Sequence, residues 1–171
     1  MNGLDWSRIS LFEGFPAEWI EAVKPIFELV EKKAGEALIS EGEVGDEMFI
    51  LVSGRVRVTK SMLLKDMDLP ILELENPRKV LATLDEAGYP LFGEIALIDR
   101  DTRSATVNVL EDSRFLATSR ERFFSLVECR PEIGARLLFV LARRMAATIR
   151  RNNAELIKLS TALALALSRV R

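Results

Sequence analysis

The chain has 171 residues, with 24 Lys and Arg against 26 Asp and Glu, no His and one Cys. This length suits one ordinary domain with an appendage. With Cys129 as the single cysteine and no histidine, the sequence excludes a disulfide framework and the usual zinc, haem and iron–sulfur ligand sets. It also excludes Ser-His-Asp and Cys-His catalysis. A formal charge of −2 indicates no overall footprint for nucleic acid. We therefore expect a binding protein that is not an enzyme and needs no cofactor.

The sequence contains no recognisable secretory signal and no stretch that suits a membrane span. The first residues contain neither the basic run nor the apolar core of a secretory signal. The longest apolar stretch, 156–170, is interrupted by Lys158 and Arg169, so it falls short of a membrane span. We expect a cytoplasmic protein with no membrane partner.

Charge divides the chain in two. Residues 131–171 hold eight basic and two acidic side chains, a formal charge of +6, which leaves −8 for residues 1–130. We therefore predict a boundary near Pro131, with a barrel and its N-terminal helical segment in 1–130 and a C-terminal helix in 131–171.

The N-terminal segment from Phe15 to Lys33 has apolar residues at helical spacing. Pro16 suits the first position of a helix. Pro25 cannot donate a backbone hydrogen bond inside a helix, so we predict two short helices separated there.

From Gly35 onward the pattern is that of strands. Apolar runs and polar–apolar alternation are separated by turn residues, including Ser53-Gly54. Such short strands are typical of an antiparallel sandwich or barrel. The predicted strands are 37–39, 48–52, 55–59, 80–84, 105–109 and 113–118.

The segment from Ser61 to Arg78 lies between two of these strands and contains apolar patches, among them Leu69–Leu72. It suits a hairpin that covers its own barrel. An apolar surface of this kind also suits docking of a downstream partner protein.

Helices return after the last strand. Ser119 is a suitable cap for a short helix through Glu128, and Pro131 opens a final helix that no Gly or Pro interrupts after Ala135. The apolar positions of this last helix recur at alternating three- and four-residue steps, which predicts a seam against a second helix and hence a homodimer. As a polar residue on this seam, Asn152 suits the role of fixing the register of two packed helices. The pair Asn152-Asn153 equally suits a bend in the helix. The seam positions are Leu138, Leu141, Met145, Thr148, Asn152, Leu156, Leu159, Leu163, Ala166 and Val170.

One stretch combines residues suited to binding a ligand that joins a ribose to a phosphate. Gly93 permits close approach of a ligand to the backbone before a short helix, whose free N–H groups attract an anion. The planar fork of Arg103 can hold two phosphate oxygens, and Glu94 can accept from sugar hydroxyls. An ordinary ion pair between Glu94 and Arg103 explains the same charges equally well.

The sequence of this stretch, residues 92–107, is FGEIALIDRDTRSATV. It closely resembles the phosphate-binding cassette of the cyclic nucleotide-binding domain family, F-G-E-hydrophobic-A-L, a short loop, then R-[A/S/T]-A-[T/S]-V. Thr102 stands where the family often has Pro. Residues 39–54 resemble the family's strand–turn–strand with its G-D-x-G-D turn, with Glu43 for the first Asp, and residues 11–15 match its N-terminal helical signature. The resemblance implies a mainly β fold with flanking helices: a double-stranded β-helix (jelly-roll) barrel with N-terminal helices and a long C-terminal helix.

The resemblance also implies roles for the matching positions. Arg103 and the backbone N–H of Ala105 bind the cyclic phosphate, and Glu94 accepts a hydrogen bond from the ribose 2′-hydroxyl. The residues implied to line the ligand pocket are Gly93, Glu94, Ile95, Ala96, Arg103, Ser104, Ala105 and Thr148.

Two positions bear on the choice of base. Ser104 stands where the family varies among Ala, Ser and Thr, which does not decide between cAMP and cGMP. Thr148 falls where the dimerisation helix of catabolite-activator members has a Thr that contacts adenine, although Ile149 replaces the following Ser. Thr148 is equally well explained as an ordinary residue of the helical seam that contacts no ligand. We expect cAMP as the ligand.

The expected function is a cyclic-nucleotide sensor that signals through its C-terminal helix to a downstream protein that the sequence does not identify. Catabolite-activator members append a helix-turn-helix domain after this helix; because this chain ends at Arg171, we expect no DNA binding by it. Two alternatives stay open: the sensor part of a larger transcription regulator, and a dimerisation scaffold that has lost its ligand. The long segment 61–78 and a loop, 85–91, about two residues longer than the family's, both put ligand affinity in question.

Overall fold

The computed structural model describes residues 4–62 and 78–168. The helices are α1 (Ala17–Val23), α2 (Glu94–Asp99), α3 (Arg120–Cys129) and α4 (Pro131–Ser168). The strands are β1 (Glu28–Lys32), β2 (Ala37–Ile39), β3 (Glu47–Ser61), β4 (Arg78–Asp85), β5 (Leu91–Phe92) and β6 (Thr106–Ser119). Within these two ranges, no helix combines the length and the apolar character that crossing a membrane requires.

In the part of the chain that the structure describes, six strands form one antiparallel sheet around two long central strands. The order is β1-β6-β3-β4, with β2 also paired to β6 and β5 also paired to β3. In chain order α1 precedes the strands, α2 lies between β5 and β6, and α3 and α4 follow β6. The prediction of an antiparallel β-sheet with flanking helices is confirmed.

The two central strands are longer than predicted because Gly54 makes a bulge and not a turn. β3 runs unbroken from Glu47 to Ser61, and its register against β6 shifts on both sides of Gly54. Gly54 has φ +104°, and a Cβ there would lie 2.2 Å from Oγ of Ser113. A bulge with a glycine in the left-handed region bends a strand without ending it, so the predicted turn at Ser53-Gly54 is wrong. The predicted strands 105–109 and 113–118 likewise join into one strand, β6.

The N-terminal helix prediction is half right. Pro16 is the N-cap of α1 and not its first helical residue. Pro25 lies in a single 3₁₀ turn, Lys24–Ile26, and the chain then enters β1 where a second helix was predicted. Leu29 and Val30 pair there with Leu116 and Phe115 of β6. Strand pairing with a distant part of the chain therefore outweighs the local helical spacing.

Among residues 4–62 and 78–168, the core has two parts. One fills the inside of the sheet and includes Leu51, Val56 and Phe115. The other joins the N-terminal segment and α3 to the sheet and includes the first three turns of α4, where Ile133 and Leu137 are fully buried. The start of α4 is thus packed on the same core as the strands. The division of the chain at residue 131 stays a prediction from charge.

The long C-terminal helix begins as predicted and changes character along its length. Ser119 caps α3 by accepting from the N–H of Arg122 at 3.3 Å, and α4 starts at Pro131 and runs unbroken through Asn152. Leu141 is only 1% exposed and packs on the barrel, so this seam position faces the chain's own core. From residue 147 to residue 168 every position is exposed.

The segment between β3 and β4 is described only at its ends. Ser61 pairs with Arg78, so the two ends lie side by side in an antiparallel ribbon. Residues 63–77, including the apolar patch Leu69–Leu72, lie outside the described residues. The hairpin and the partner-docking interpretations of this segment both stay predictions.

Candidate functional site

A glycine turn links the sheet to the short helix of the predicted cassette. β5 pairs with β3, and Gly93 then turns the chain into α2 with φ +81° and no side-chain cap. A Cβ at this position would lie 2.5 Å from the carbonyl oxygen of Glu47 and 2.5 Å from Nη1 of Arg103. Only glycine fits between these two groups in this conformation.

The backbone of Arg103 is held by the turn that precedes β3. Its N–H donates to the carbonyl of Glu43, and its carbonyl accepts from the N–H of Gly42, both at 2.9 Å. The side chain is 6% exposed and donates through Nη1 to the carbonyl oxygens of Glu47 at 2.7 Å and Gly93 at 3.5 Å. The cassette and the upstream turn therefore meet at one buried guanidinium.

The charge of Arg103 is only weakly matched in the part of the chain that the structure describes. Burial lowers the pKa of its guanidinium, against an opposite effect of Glu47 and Asp46. Its ion pair is a long one, 4.0 Å from Nη2 to Oε2 of the half-exposed Glu47. Across residues 4–62 and 78–168, Nε and Nη2 have no hydrogen-bond acceptor, and no ion pair joins Arg103 to Glu94. The alternative of a simple Glu94–Arg103 pair is therefore not formed, and two nitrogens of the guanidinium have no acceptor within these ranges.

Glu94 follows Gly93 and lies near the C-terminal helix. It is half-buried, and burial raises the pKa of its carboxyl, while its own N–H and the guanidinium of Arg144 act in the opposite direction. Arg144 itself reaches back from α4 and donates through Nη1 to Oγ of Ser10 at 2.9 Å. This carboxyl is thus an acceptor of the cassette that lies close enough to α4 for Arg144 to affect its pKa.

The remaining predicted residues fall into two groups. Ala96 is 2% exposed, so only its backbone is available to a ligand, whereas Ile95 is 38% exposed at the start of α2. Ser104 is exposed and Ala105 half-buried, directly beside Arg103. Thr148 is exposed on α4, one turn beyond Arg144 and on the same face, because residues four apart lie above each other on a helix. The structure thus brings Gly93 into contact with Arg103, which Ser104 and Ala105 follow in the chain, while Glu94, Ile95 and Ala96 lie in the helix that Gly93 opens.

Three residues of this region were not predicted as site residues. A Cβ on Gly45 would lie 2.8 Å from both Nε and Nη2 of Arg103. Glu47 supplies the carbonyl and carboxylate described above, and Arg144 supplies the link to α4. The upstream turn match contains Gly45 and Asp46, so its Gly-Asp pair was the signal for the first of these. No local signal marks Arg144.

Comparison with known proteins places this geometry in a family. The family model described as cyclic nucleotide-binding domain matches residues 29–129. The CRP-like cAMP-activated global transcriptional regulator of Mycobacterium tuberculosis is 28% identical over 142 residues, which are 83% of this chain and 58% of that protein. The cGMP-dependent protein kinase 2 of Homo sapiens is 33% identical over 116 residues, 67% of this chain and 14% of that protein.

A solved structure gives the same result for the fold. The crystal structure of Thermus thermophilus catabolite activator protein superposes with a TM-score of 0.70 at 28% identity, covering 88% of this chain and 63% of that one. The jelly-roll architecture expected from the cassette is thereby confirmed. The chain spans under two thirds of the length of these regulators. With its cassette, its β fold and the family match over most of its length, this chain belongs to the cyclic nucleotide-binding domain family.

Proposed function

We propose that this chain is a cyclic-nucleotide receptor, with cAMP as its ligand, that transmits binding through α4. The observation that carries the proposal is the buried guanidinium of Arg103, whose Nε and Nη2 have no acceptor among the described residues. Two donors without an acceptor on one charged group suit two oxygens of one phosphate, since charge-assisted bidentate bonds are strong and directional.

The ribose end of the ligand is supported by the position of Glu94. This residue directly follows Gly93, whose carbonyl accepts from Nη1 of Arg103 at 3.5 Å, so the proposed ribose acceptor is the neighbour in sequence of a contact of Arg103. A half-buried carboxylate gains from a hydroxyl donor because a hydrogen bond offsets its desolvation. One ligand with a phosphate and a neighbouring ribose hydroxyl satisfies both groups.

The choice of cAMP rests on the relatives and on α4. The M. tuberculosis relative, named as cAMP-activated, aligns with 83% of this chain, whereas the human relative, named as cGMP-dependent, aligns with 67%. The longer alignment supports cAMP. Thr148, on the face of α4 that carries Arg144, supports a base contact from this helix.

Signalling through α4 is supported by the contact of Arg144 with Ser10 and by its effect on Glu94. A ligand at Glu94 changes the charge and hydrogen bonding around Arg144, so it binds two positions of α4 with different affinity. The exposed apolar positions of α4 beyond residue 147, among them Leu156, Leu159 and Leu163, suit a homodimer in which two such helices pack together.

The test is calorimetric titration with cAMP and with cGMP on the wild type, Arg103→Ala and the control Arg57→Ala, an exposed arginine of β3. We expect Arg103→Ala to weaken binding by about 1.5–3 kcal/mol, the value of a hydrogen bond to a charged group. Arg57→Ala should bind like the wild type. A wild type that binds neither nucleotide would overturn the proposal and leave the ligand-free scaffold.

A second candidate is the sensor part of a larger transcription regulator, which the name and the greater length of the M. tuberculosis relative favour. The intact mass of the protein purified from its native source tests this. A mass that exceeds that of the 171 residues by a DNA-binding domain would support it, and a mass equal to theirs would contradict it.

A further inference from the structure

The side chain of Lys60 touches the cassette from outside the site. Lys60 is the penultimate residue of β3, and its Nζ donates to the backbone carbonyl of Ser104 at 2.7 Å. Its Nζ also lies 3.8 Å from Oε1 of Glu41. Ser104 is the residue directly after Arg103, so this ammonium is bonded to the segment that the proposed function assigns to the phosphate.

The carbonyl that accepts from Lys60 belongs to the peptide group between Ser104 and Ala105. The carbonyl of Ser104 and the N–H of Ala105 belong to one planar trans peptide, so they point in opposite directions. With the carbonyl held toward Lys60, the N–H of Ala105 faces the other way. Among the residues that the structure describes, this N–H has no acceptor. It is therefore a donor without an acceptor among these residues, and it points away from Lys60.

An ammonium on the carbonyl also changes the strength of that donor. A charge-assisted bond to a carbonyl oxygen draws electron density from the amide, and hydrogen bonds in a chain polarise one another. The N–H of Ala105 consequently becomes a better donor to an anion than an amide whose carbonyl faces water.

Thr106, the residue after Ala105, is also held by hydrogen bonds from the upstream turn and β4. Oγ1 of Thr106 accepts from the N–H of Glu41 at 3.0 Å and from Nη1 of Arg78 at 2.6 Å. The carboxylate of Glu41 accepts from the N–H of Ser61 at 2.8 Å. This hydrogen bond lowers the pKa of Glu41, which keeps the carboxylate charged beside Lys60. The ends of β3 and β4 thus hold residues 104–106 together with the upstream turn.

We infer that Lys60 is a positioning residue of the phosphate site, which holds the Ser104–Ala105 peptide so that the N–H of Ala105 donates to a phosphate oxygen. The inference rests on the proposed function, because it gives this N–H the cyclic phosphate as its acceptor. It adds a residue outside the cassette, on the strand that leads into segment 61–78.

The experiment compares Lys60→Met, Lys60→Arg and the control Lys79→Met. Lys79 pairs directly opposite Lys60 on β4, is exposed, and has the same charge, but no hydrogen bond of its side chain to the cassette is present in the described structure. Binding of cAMP is measured by calorimetry. The amide resonance of Ala105 is followed by ¹⁵N–¹H NMR with and without cAMP, because this readout reports the donor directly.

We expect Lys60→Met to bind cAMP about 3- to 10-fold more weakly, the scale of one hydrogen bond. Lys60→Arg, which still donates to the carbonyl, should restore affinity, and Lys79→Met should leave it unchanged. The downfield shift of the Ala105 amide on binding should shrink in Lys60→Met alone. If the wild type binds and Arg103→Ala does not, yet Lys60→Met matches Lys79→Met in both readouts, the inference is overturned and the proposed function stands. A wild type that does not bind overturns both.

Discussion

The guanidinium of Arg103 occupies the space that a side chain on Gly45 would need, with Nε and Nη2 each 2.8 Å from the position of a Cβ there. These are the two nitrogens that have no acceptor among the described residues. The open edge of the fork therefore borders the Gly45 backbone, and the size of residue 45 controls where the guanidinium lies.

Replacing Gly45 with Ala should displace the guanidinium and weaken cAMP binding by about tenfold, the loss of one charge-assisted bond. Gly45 has no positive φ, so we expect little backbone strain and a melting temperature close to that of the wild type. Calorimetry and thermal melting measure the two effects. Gly88→Ala, which meets no atom within 4 Å, is the control. Equal affinities for the two variants would contradict the assigned role of the Gly45 contact.

Replacing Gly93 with Ala should damage both folding and binding. The new Cβ meets the backbone carbonyl of Glu47 at 2.5 Å, and φ is +81°, so neither a side-chain shift nor an ordinary backbone conformation relieves the clash. We expect a loss of about 1–3 kcal/mol in the free energy of unfolding from backbone strain alone. Urea unfolding measures this loss. Gly45→Ala, unfolded under the same conditions, should show no comparable loss of free energy. An unchanged free energy of unfolding for Gly93→Ala would show that the turn into α2 is not constrained in this way.

Glu94 should make both stability and binding depend on pH. Because burial raises its pKa, the folded protein keeps this proton to a higher pH than the unfolded chain. Between the two pKa values the free energy of unfolding therefore falls as pH rises, and it stays lower above the folded-state value. A ribose hydroxyl donates better to the ionised carboxyl, so cAMP affinity should rise with pH across the same window.

Glu94→Gln tests this dependence. We expect it to unfold at higher urea concentration than the wild type at neutral pH and to lose the pH dependence of both quantities from about pH 4 upward. Glu18→Gln, on the exposed side of α1, is the control and should keep it. A wild-type profile retained in Glu94→Gln would assign the dependence to another group.

The proposed dimer is best tested on the outer half of α4. Leu159 is 62% exposed, and its replacement with Asp places a charge in the proposed seam without touching the barrel. Light scattering should give twice the monomer mass for the wild type and a lower mass for Leu159→Asp. Ala154→Asp is the control, because five residues from Leu159 on a helix is nearly the opposite face. A wild type that stays monomeric at high concentration would contradict the seam.

Leu141 does not serve this purpose although it lies on the same predicted seam. It is 1% exposed and packs in the core of the single chain. An aspartate there would bury an unpaired charge and unfold the barrel, so the mass change would say nothing about the helix pair.

Much of the fold was predictable because its signals are local. Alternating residues marked the strand positions, Ser119 marked the start of α3, and the run from Phe92 to Val107 marked the cassette. The second half of the N-terminal helix prediction failed because residues 28–32 are stabilised as β1 by pairing with β6. The predicted turn at Gly54 is wrong for a similar reason. A glycine bulge and a glycine turn have the same local sequence pattern and differ only in whether a partner strand, here β6, pairs on both sides of the glycine.

The sequence by itself determined which residue types stand at which spacing: a Gly-Glu pair and an arginine at the spacing of a phosphate-binding cassette, on a chain without histidine. Only the tertiary structure decided how these groups meet. The bond from Arg103 to Glu47 joins residues 56 apart, and that from Arg144 to Ser10 joins residues 134 apart. The physical reason is that residue type and spacing act along the chain, whereas burial and charge at Arg103 depend on segments that fold against it.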